Sequence, residues 1–316
     1  MTADSPRTCT LTDGHAGNVR QALALARALG RVADEVVLLP HAPWRWMAPR
    51  RLPGASQAFG SAFHAAWNTP PALAIGCGRQ AALATRLLRD RGSRAVQILD
   101  PRIDPSHWDL VIAPDHDGLA GPNVLTLLGS LNPVDDAWLL DARTAFPSLA
   151  ALPSPRTALL IGGDSAHYAF DADAFARLAA TLDDAMGTES LMITASRRTP
   201  ADVVQALRAR YATRADTVLW CDPSDGPNPY AGLLAWADRI VCTPESVNML
   251  SEACATSVPV HVFEPARVGG RPRLFLEALL ARGRIRALTG AMSPFDVQPL
   301  RETARVADEV RTRLLR

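Results

Sequence analysis

Near the amino terminus, Thr12-Asp13-Gly14-His15-Ala16-Gly17-Asn18 runs from an apolar stretch into a helical pattern and places two glycines around a histidine. Glycines let a backbone approach a ligand closely, and a helix N-terminus offers unpaired N–H groups and a positive dipole end. His15 is expected there to act as base, acid or hydrogen-bond donor. The competing reading is a capped turn whose glycines serve geometry alone. Further on, Gly76-Cys77-Gly78-Arg79-Gln80-Ala81 follows a strand and opens a helix, with Asp100 ending the next strand. That spacing fits the dinucleotide fingerprint, but it falls on an inner strand, and a tight strand-to-helix turn explains it better than a nicotinamide site.

Two Asp-x-Asp pairs have the spacing that can hold a divalent metal beneath a diphosphate, Asp115-His116-Asp117 and Asp171 with Asp173. The second pair opens a helix, where capping and the helix dipole account for it. For the first, His116 and Asp117 stand either in an acceptor-binding loop or in a solvated turn. No metal and no resident cofactor is expected.

The second half repeats the strand, glycine pair and polar loop in Leu160-Ile161-Gly162-Gly163-Asp164-Ser165. Backbone amides at Gly162 and Gly163, with the Ser165 hydroxyl, are expected to hold phosphate oxygens. Thr194-Ala195-Ser196-Arg197-Arg198-Thr199-Pro200 follows the next strand and brings two hydroxyls and two guanidiniums to a helix start, an arrangement suited to a diphosphate; a capped helix with exposed arginines is the plainer alternative. Asn228 and Tyr230 follow a loop rich in Pro, Gly and Asp. The run Cys242 to Ala253 passes through Glu245 and Ser246 to Ser251 and Glu252. Glu252 on a helix could accept from two vicinal hydroxyls, as in gripping a ribose, or it is an ordinary exposed helical glutamate.

These loops need elements to hold them. The 316 residues suit two α/β domains of roughly 150 residues each. Short β-rich runs alternate with amphipathic ones, the signature of parallel sheets with crossover helices. Strands are expected at 8–11, 35–39, 72–75, 95–99, 110–113 and 124–127, with a helix over 18–29. A second series follows, with strands at 158–161, 191–194, 217–220, 240–242 and 258–263 and helices over 172–186, 201–211, near Leu233 and over 246–255. The proline-rich stretch Phe146 to Pro155 reads as the linker between a first domain of residues 1–147 and a second of 156–316, whose last helix is free to pack back on the first. Two Rossmann-like, doubly wound domains facing a cleft are the expected α/β architecture, with ligands at the carboxyl ends of strands.

Composition removes several chemistries. All 33 basic residues are arginine, so a Walker-A lysine, a pyridoxal Schiff base and a lysine general base are excluded. A formal net charge of +1 gives no bulk attraction to nucleic acid. The five cysteines form no C-x-x-C pair and read as small buried hydrophobes in a reducing compartment. The polar start MTADSPR shows no signal-peptide pattern and no run is long enough to span a membrane, so a cytoplasmic protein, peripheral to the inner membrane at most, is expected.

Taken together, the stretches TDGHAGNVRQ, GCGRQAA, DPR at 100–102, PDHDGLAGPN, LIGGDSAHY, TASRRTP, NPY and TPESVNMLSEA resemble the "elongated mitochondria" family of mitochondrial fission proteins, from Leu11 to about Phe263. That resemblance implies a GT-B glycosyltransferase-like fold. The layout is similar, more distantly, to the GT-B enzyme that adds N-acetylglucosamine to the peptidoglycan lipid precursor. The likeness places a glycine-rich loop with a histidine on Gly14, His15 and Gly17, a glycine pair with a hydroxyl on Gly162, Gly163 and Ser165, and a ribose-gripping pair on Ser251 and Glu252. Two departures stand out: DGHAG lacks the longer glycine run, and Asp164 puts an anion beside the expected diphosphate.

The resulting expectation is a glycosyltransferase of cell-envelope glycan synthesis that uses a nucleotide-diphosphate sugar. The second domain binds the donor through Gly162, Gly163, Ser165, Ser196, Arg197, Arg198, Asn228, Tyr230, Glu245, Ser246, Ser251 and Glu252. The first holds a lipid-linked or glycan acceptor through Asp13, Gly14, Gly17, Gly76 and Gly78. His15, or else His116 with Asp117, deprotonates the acceptor hydroxyl, while Ser196, Arg197 and Arg198 stabilise the leaving diphosphate. The alternatives are a nucleotide-sugar 2-epimerase on the same fold and a non-enzymatic interaction protein.

Two surface segments bear on membrane contact. Residues 267–316 hold eleven arginines against five acids, read as solvated helix rather than a polyanion-facing surface. In Trp44-Arg45-Trp46-Met47-Ala48-Pro49-Arg50-Arg51, flanking prolines exclude a long helix, and both tryptophans are expected to pack under the loop. Exposed instead, they would form an apolar spot with a basic rim suited to an anionic bilayer.

Overall fold

Alternate residues of the inner strands point to opposite faces, and both faces are apolar, which is the pattern of a parallel sheet covered by helices on each side. The computed structural model describes residues 6–187 and 189–315; the first five residues of the polar start and Arg316 of the arginine-rich segment lie outside the described residues. The chain divides into two units, one of residues up to Pro133 together with those from Glu302 on, the other Val134–Arg301.

In the first unit the order is β1 (Thr8–Thr12), α1 (Ala16–Ala28), β2 (Ala33–Val37), α2 (Trp44–Met47), α3 (Gly60–Asn68), β3 (Leu73–Cys77), α4 (Arg79–Asp90), β4 (Arg94–Ile98), β5 (Leu110–Pro114) and β6 (Val124–Leu127). The second contains α5 (Asp136–Ala145), β7 (Arg156–Ile161), α6 (Ala172–Ala185), β8 (Ser190–Ala195), α7 (Ala201–Tyr211), β9 (Thr217–Trp220), α8 (Tyr230–Trp236), β10 (Arg239–Cys242), α9 (Val247–Cys254), β11 (Val260–Val262), α10 (Gly270–Ala281) and β12 (Ile285–Ala287). The final helix, α11 (Thr303–Leu314), returns to the first unit. Both sheets are six-stranded and parallel, ordered β2-β1-β3-β4-β5-β6 and β12-β11-β10-β7-β8-β9.

Leu73, Ile75 and Cys77 of β3 face one core with Ala22 and Leu25 of α1 and with Val306, Ala307 and Val310 of α11. Ala74 faces the other core with Phe63 of α3 and with Leu83 and Leu87 of α4. All five cysteines are buried and free. Asp171 caps α6, its carboxylate accepting from Ala174 N at 2.9 Å, so that Asp-x-Asp is a helix start. Among the described residues no helix is long and apolar enough to cross a membrane.

The division differs from the expected linker at 146–155. Helix α5, read as part of the first domain, packs in the second unit: Arg143 Nε donates to Ala235 O at 2.9 Å, and Trp236 Nε1 donates to Phe146 O at 3.0 Å. Residues 147–151 are a 3-10 helix within that unit rather than a free linker. At the other end, α11 is tied to the first unit by Leu128 N donating to Glu302 Oε2 at 2.6 Å and by Thr303 Oγ1 donating to Asn132 O at 2.8 Å. Arg273, Arg305, Arg311 and Arg313 each pair with an acid three or four positions away, consistent with solvated helix. Arg284 differs, buried and donating to the carbonyls of Ala253, Cys254, Thr256 and Val258.

Candidate functional site

In each sheet the chain builds outward from one strand and then returns to its other side. The reversal falls between β1 and β3 in the first unit and between β7 and β10 in the second. Crevices at such reversals, at the carboxyl ends of strands, are where doubly wound sheets bind ligands.

In the second unit three loops gather there: 162–164 after β7, 196–199 after β8 and 243–246 after β10. Gly162 N donates to Thr243 Oγ1 at 2.8 Å and Gly163 N to Glu245 Oε1 at 2.7 Å. Both amides expected to hold phosphate are therefore occupied, and that role is corrected. The glycines are needed for another reason. A Cβ on Gly162 would lie 1.5 Å from Glu245 Oε1, and one on Gly163 would lie 2.1 Å from the Arg198 carbonyl oxygen. Glu245 is buried, and burial pushes its carboxyl above the ordinary range despite hydrogen bonds from Gly163 and Thr243. Its Oε2 has no hydrogen-bond partner among the described residues.

Ser196 Oγ donates to Gly162 O at 2.6 Å, and Thr199 Oγ1 bonds the same carbonyl. Arg198 Nη1 donates to Asp164 O at 3.0 Å, while the Asp164 carboxylate accepts from Phe170 N at 2.9 Å. Arg197 is exposed and makes no ion pair among the described residues. Ser165 is engaged in its own turn, accepting from His167 N and Tyr168 N at 3.2 and 3.1 Å.

Further along this edge, the exposed Asn228 accepts from Tyr230 N at 2.9 Å, and Tyr230 Oη donates to Glu252 Oε2 at 2.5 Å. Tyr230 and Glu252 are both buried, so Glu252 is not the exposed helical glutamate of the plainer reading. Ser246 caps α9, and Ser251 Oγ donates to Val247 O at 2.7 Å within that helix.

In the first unit, Asp13 Oδ2 lies 3.0 Å from His15 Nδ1, and Asp13 Oδ1 accepts from Asn18 Nδ2 at 2.9 Å and His15 N at 3.1 Å. Burial alone would raise the Asp13 carboxyl; the hydrogen bonds from Asn18 and His15 outweigh it and hold it below its usual value. The His15 side chain is 77% exposed at the start of α1, with Gly14 and Gly17 on either side. Gly78, at φ +92°, meets this loop from β3: a Cβ there would lie 2.7 Å from Asn18 Nδ2. Gly76 faces the α4 side, against Thr85 and Gln97, and serves packing.

His116 and Asp117 stand in the 3-10 turn that follows β5, a strand three spacings or roughly 14 Å from β1. They form no single group with His15. Asp117 and Asp100 instead flank Arg102, at 3.7 and 3.0 Å. Among the described residues no three His, Cys, Asp or Glu side chains gather to hold a metal.

Sequence reasoning passed over Asn18 and Thr243, each of which sits inside a quoted motif and anchors its loop. It also passed over Glu264, which follows β11 at φ +41°. Glu264 accepts from Tyr168 Oη at 3.1 Å and from Arg177 Nε at 3.0 Å, and the Arg177 bond holds its carboxyl below the usual range. Only a non-glycine residue in left-handed backbone marks the position, and sequence does not display it.

Two doubly wound, six-stranded parallel sheets with polar loops at each strand reversal place the chain in the GT-B fold class. It matches UDP-GlcNAc 2-epimerase from Neisseria meningitidis bound to UDP-GlcNAc with a TM-score of 0.58 at 12% identity, over 96% of this chain and 99% of that one. The calicheamicin glycosyltransferase CalG4 matches with a TM-score of 0.50 at 13% identity, over 99% of each chain. The sequence profile of the family described as mitochondrial fission ELM1 matches residues 16–314, and the chain belongs to that family. It is 30% identical over 275 residues to the mitochondrial fission protein ELM1 of Arabidopsis thaliana, across 77% of this chain, and spans 64% of that relative's length.

Proposed function

We propose that the second unit binds a nucleotide-diphosphate sugar and the first unit carries the acceptor, for glycosyl transfer. The observation that carries this reading is the unpaired Arg197 and the adjacent Arg198 on a loop clamped to Gly162 and Asp164 at the sheet reversal. Two exposed guanidiniums on a rigid base suit a diphosphate and would stabilise it as it leaves. The UDP-GlcNAc bound by the Neisseria epimerase of the same fold supports the ligand class. With both glycine amides and the Ser196 hydroxyl engaged, the phosphates rest on Arg197 and Arg198 in this reading, and the Tyr230–Glu252 pair lies with the nucleoside.

His15 is the better base of the two candidates. Asp13 fixes its Nδ1 side, leaving Nε2 for the acceptor proton, whereas Asp117 stands beside Arg102. The acceptor oxygen attacks the anomeric carbon, its proton passes to His15, and the bond to the diphosphate breaks with the electron pair leaving on phosphate oxygen.

Calorimetric titration of the full chain with UDP-, GDP-, CMP- and ADP-sugars tests the ligand class. Saturable binding of one class is expected, and none from any of the four overturns the reading. A changed sugar formed from donor alone would assign the 2-epimerase reaction instead, which the likeness to the Neisseria enzyme keeps in view.

A further inference from the structure

Sequence reasoning expects Trp44 and Trp46 beneath their loop, and the structure separates them. Trp44 is half-buried, its ring 3.3 Å from where a Gly54 Cβ would stand, and packs on the core of Phe59 and Phe63. Trp46 is 65% exposed. The same stretch, 37–47, exposes Leu39 at 64%, Val37 at 46% and Met47 at 38%. Exposed large apolar side chains gathered in one short stretch are uncommon on a soluble surface and mark an interaction site.

Helix α2 holds this stretch firmly. Gln80 Nε2 donates to Arg45 O at 2.8 Å, and Arg79 Nη2 donates to the same carbonyl at 3.1 Å. Trp46 is thus presented on an anchored turn rather than a loose loop. Within 38–51 the charged residues are all arginine, of which Arg51 pairs with Asp90. Arg45 and Arg50 are exposed and enter no ion pair among the described residues, and 38–51 contains no acid. Of the acids nearest in sequence, Asp34 pairs with Arg7, and Glu35 lies mid-strand in β2, two residues before Val37.

From the exposed Trp46, Leu39 and Met47 beside the unpaired Arg45 and Arg50, we propose that this face of the first unit docks on an anionic lipid bilayer. An indole seats at the headgroup level with apolar neighbours below it, and arginines reach the lipid phosphates around it. The proposal stands apart from the nucleotide reading, since it concerns α2 and the chain that leads into it from β2 in the first unit and requires no donor.

The test is flotation of the full chain with vesicles of phosphatidylglycerol and phosphatidylcholine, or of phosphatidylcholine alone, at ~50 and ~300 mM salt. Wild type is expected to float with the anionic vesicles at low salt and to release at high salt. Trp46→Ser should reduce the bound fraction about tenfold, as loss of one seated aromatic does. Arg45→Gln and Arg50→Gln should each reduce it about fivefold. All three positions are exposed, so melting temperatures should stay at the wild-type value and confirm folding. Wild type that stays off anionic vesicles, or variants that float like wild type, overturn the proposal. So does a dimer that Trp46→Ser dissolves and that ignores lipid, which would seat a second copy on this face.

Discussion

Tyr230 donates its hydroxyl proton to Glu252 across 2.5 Å, joining the start of α8 to the middle of α9 inside the second unit. Residues 22 positions apart are thereby coupled, and the coupling gives Glu252 two consequences when it is removed. Glu252→Ala removes the carboxylate that a buried phenol donates to and should cost about 1–3 kcal/mol of stability. It should also weaken nucleotide binding by about 1.5–3 kcal/mol if the carboxylate meets a ribose. Thermal melts and calorimetry read the two effects separately. Unchanged affinity in the folded variant would remove Glu252 from the nucleotide site.

The glycine pair makes a sharper structural prediction. Gly162→Ala drives a methyl into a carboxylate that can retreat, whereas Gly163→Ala drives one into the Arg198 backbone, which cannot do so cheaply. Gly162→Ala should cost about 1–3 kcal/mol and Gly163→Ala more, by chemical denaturation. Adding Glu245→Ala should recover part of the Gly162→Ala loss and none of the Gly163→Ala loss; equal recovery would contradict the packing described.

His261 in β11 predicts a pH dependence. It is buried with neither ring nitrogen hydrogen-bonded among the described residues, and burial, with Arg239 and Arg286 adding repulsion, lowers its pKa to about 4. A depressed histidine favours the unfolded state once protonated there. The native state therefore loses stability as pH falls below about 6.5, and the loss levels off near the folded value of about 4. The difference should reach about 3 kcal/mol. His261→Leu should remove it, with little loss at pH 7, since no hydrogen bond is broken. Parallel pH profiles of wild type and variant would contradict this.

Much of the fold was legible because inner parallel strands are short apolar runs punctuated by glycine. Runs such as Leu110 to Ala113 and Ala158 to Ile161 announce themselves. β12 was missed for the converse reason: Ile-Arg-Ala at the sheet edge carries one buried residue. The domain boundary was misplaced because prolines at 147, 153 and 155 look like a linker locally, while what assigns α5 is its contact with Ala235 and Trp236, some 90 residues later. The candidate site shows the same limit. Gly162, Gly163, Ser196 and Glu245 could be named from their loops, but that Thr243 and Glu245 occupy the glycine amides depends on β7 and β10 being neighbours.

The claim most exposed to test is that Arg197 and Arg198 hold the diphosphate. Titrating the Arg197→Ala/Arg198→Ala chain with whichever nucleotide sugar wild type binds measures it directly. Both side chains are exposed, so the melting temperature should stay near wild type while affinity falls by at least ~30-fold. Affinity equal to wild type in the folded double variant would contradict the account.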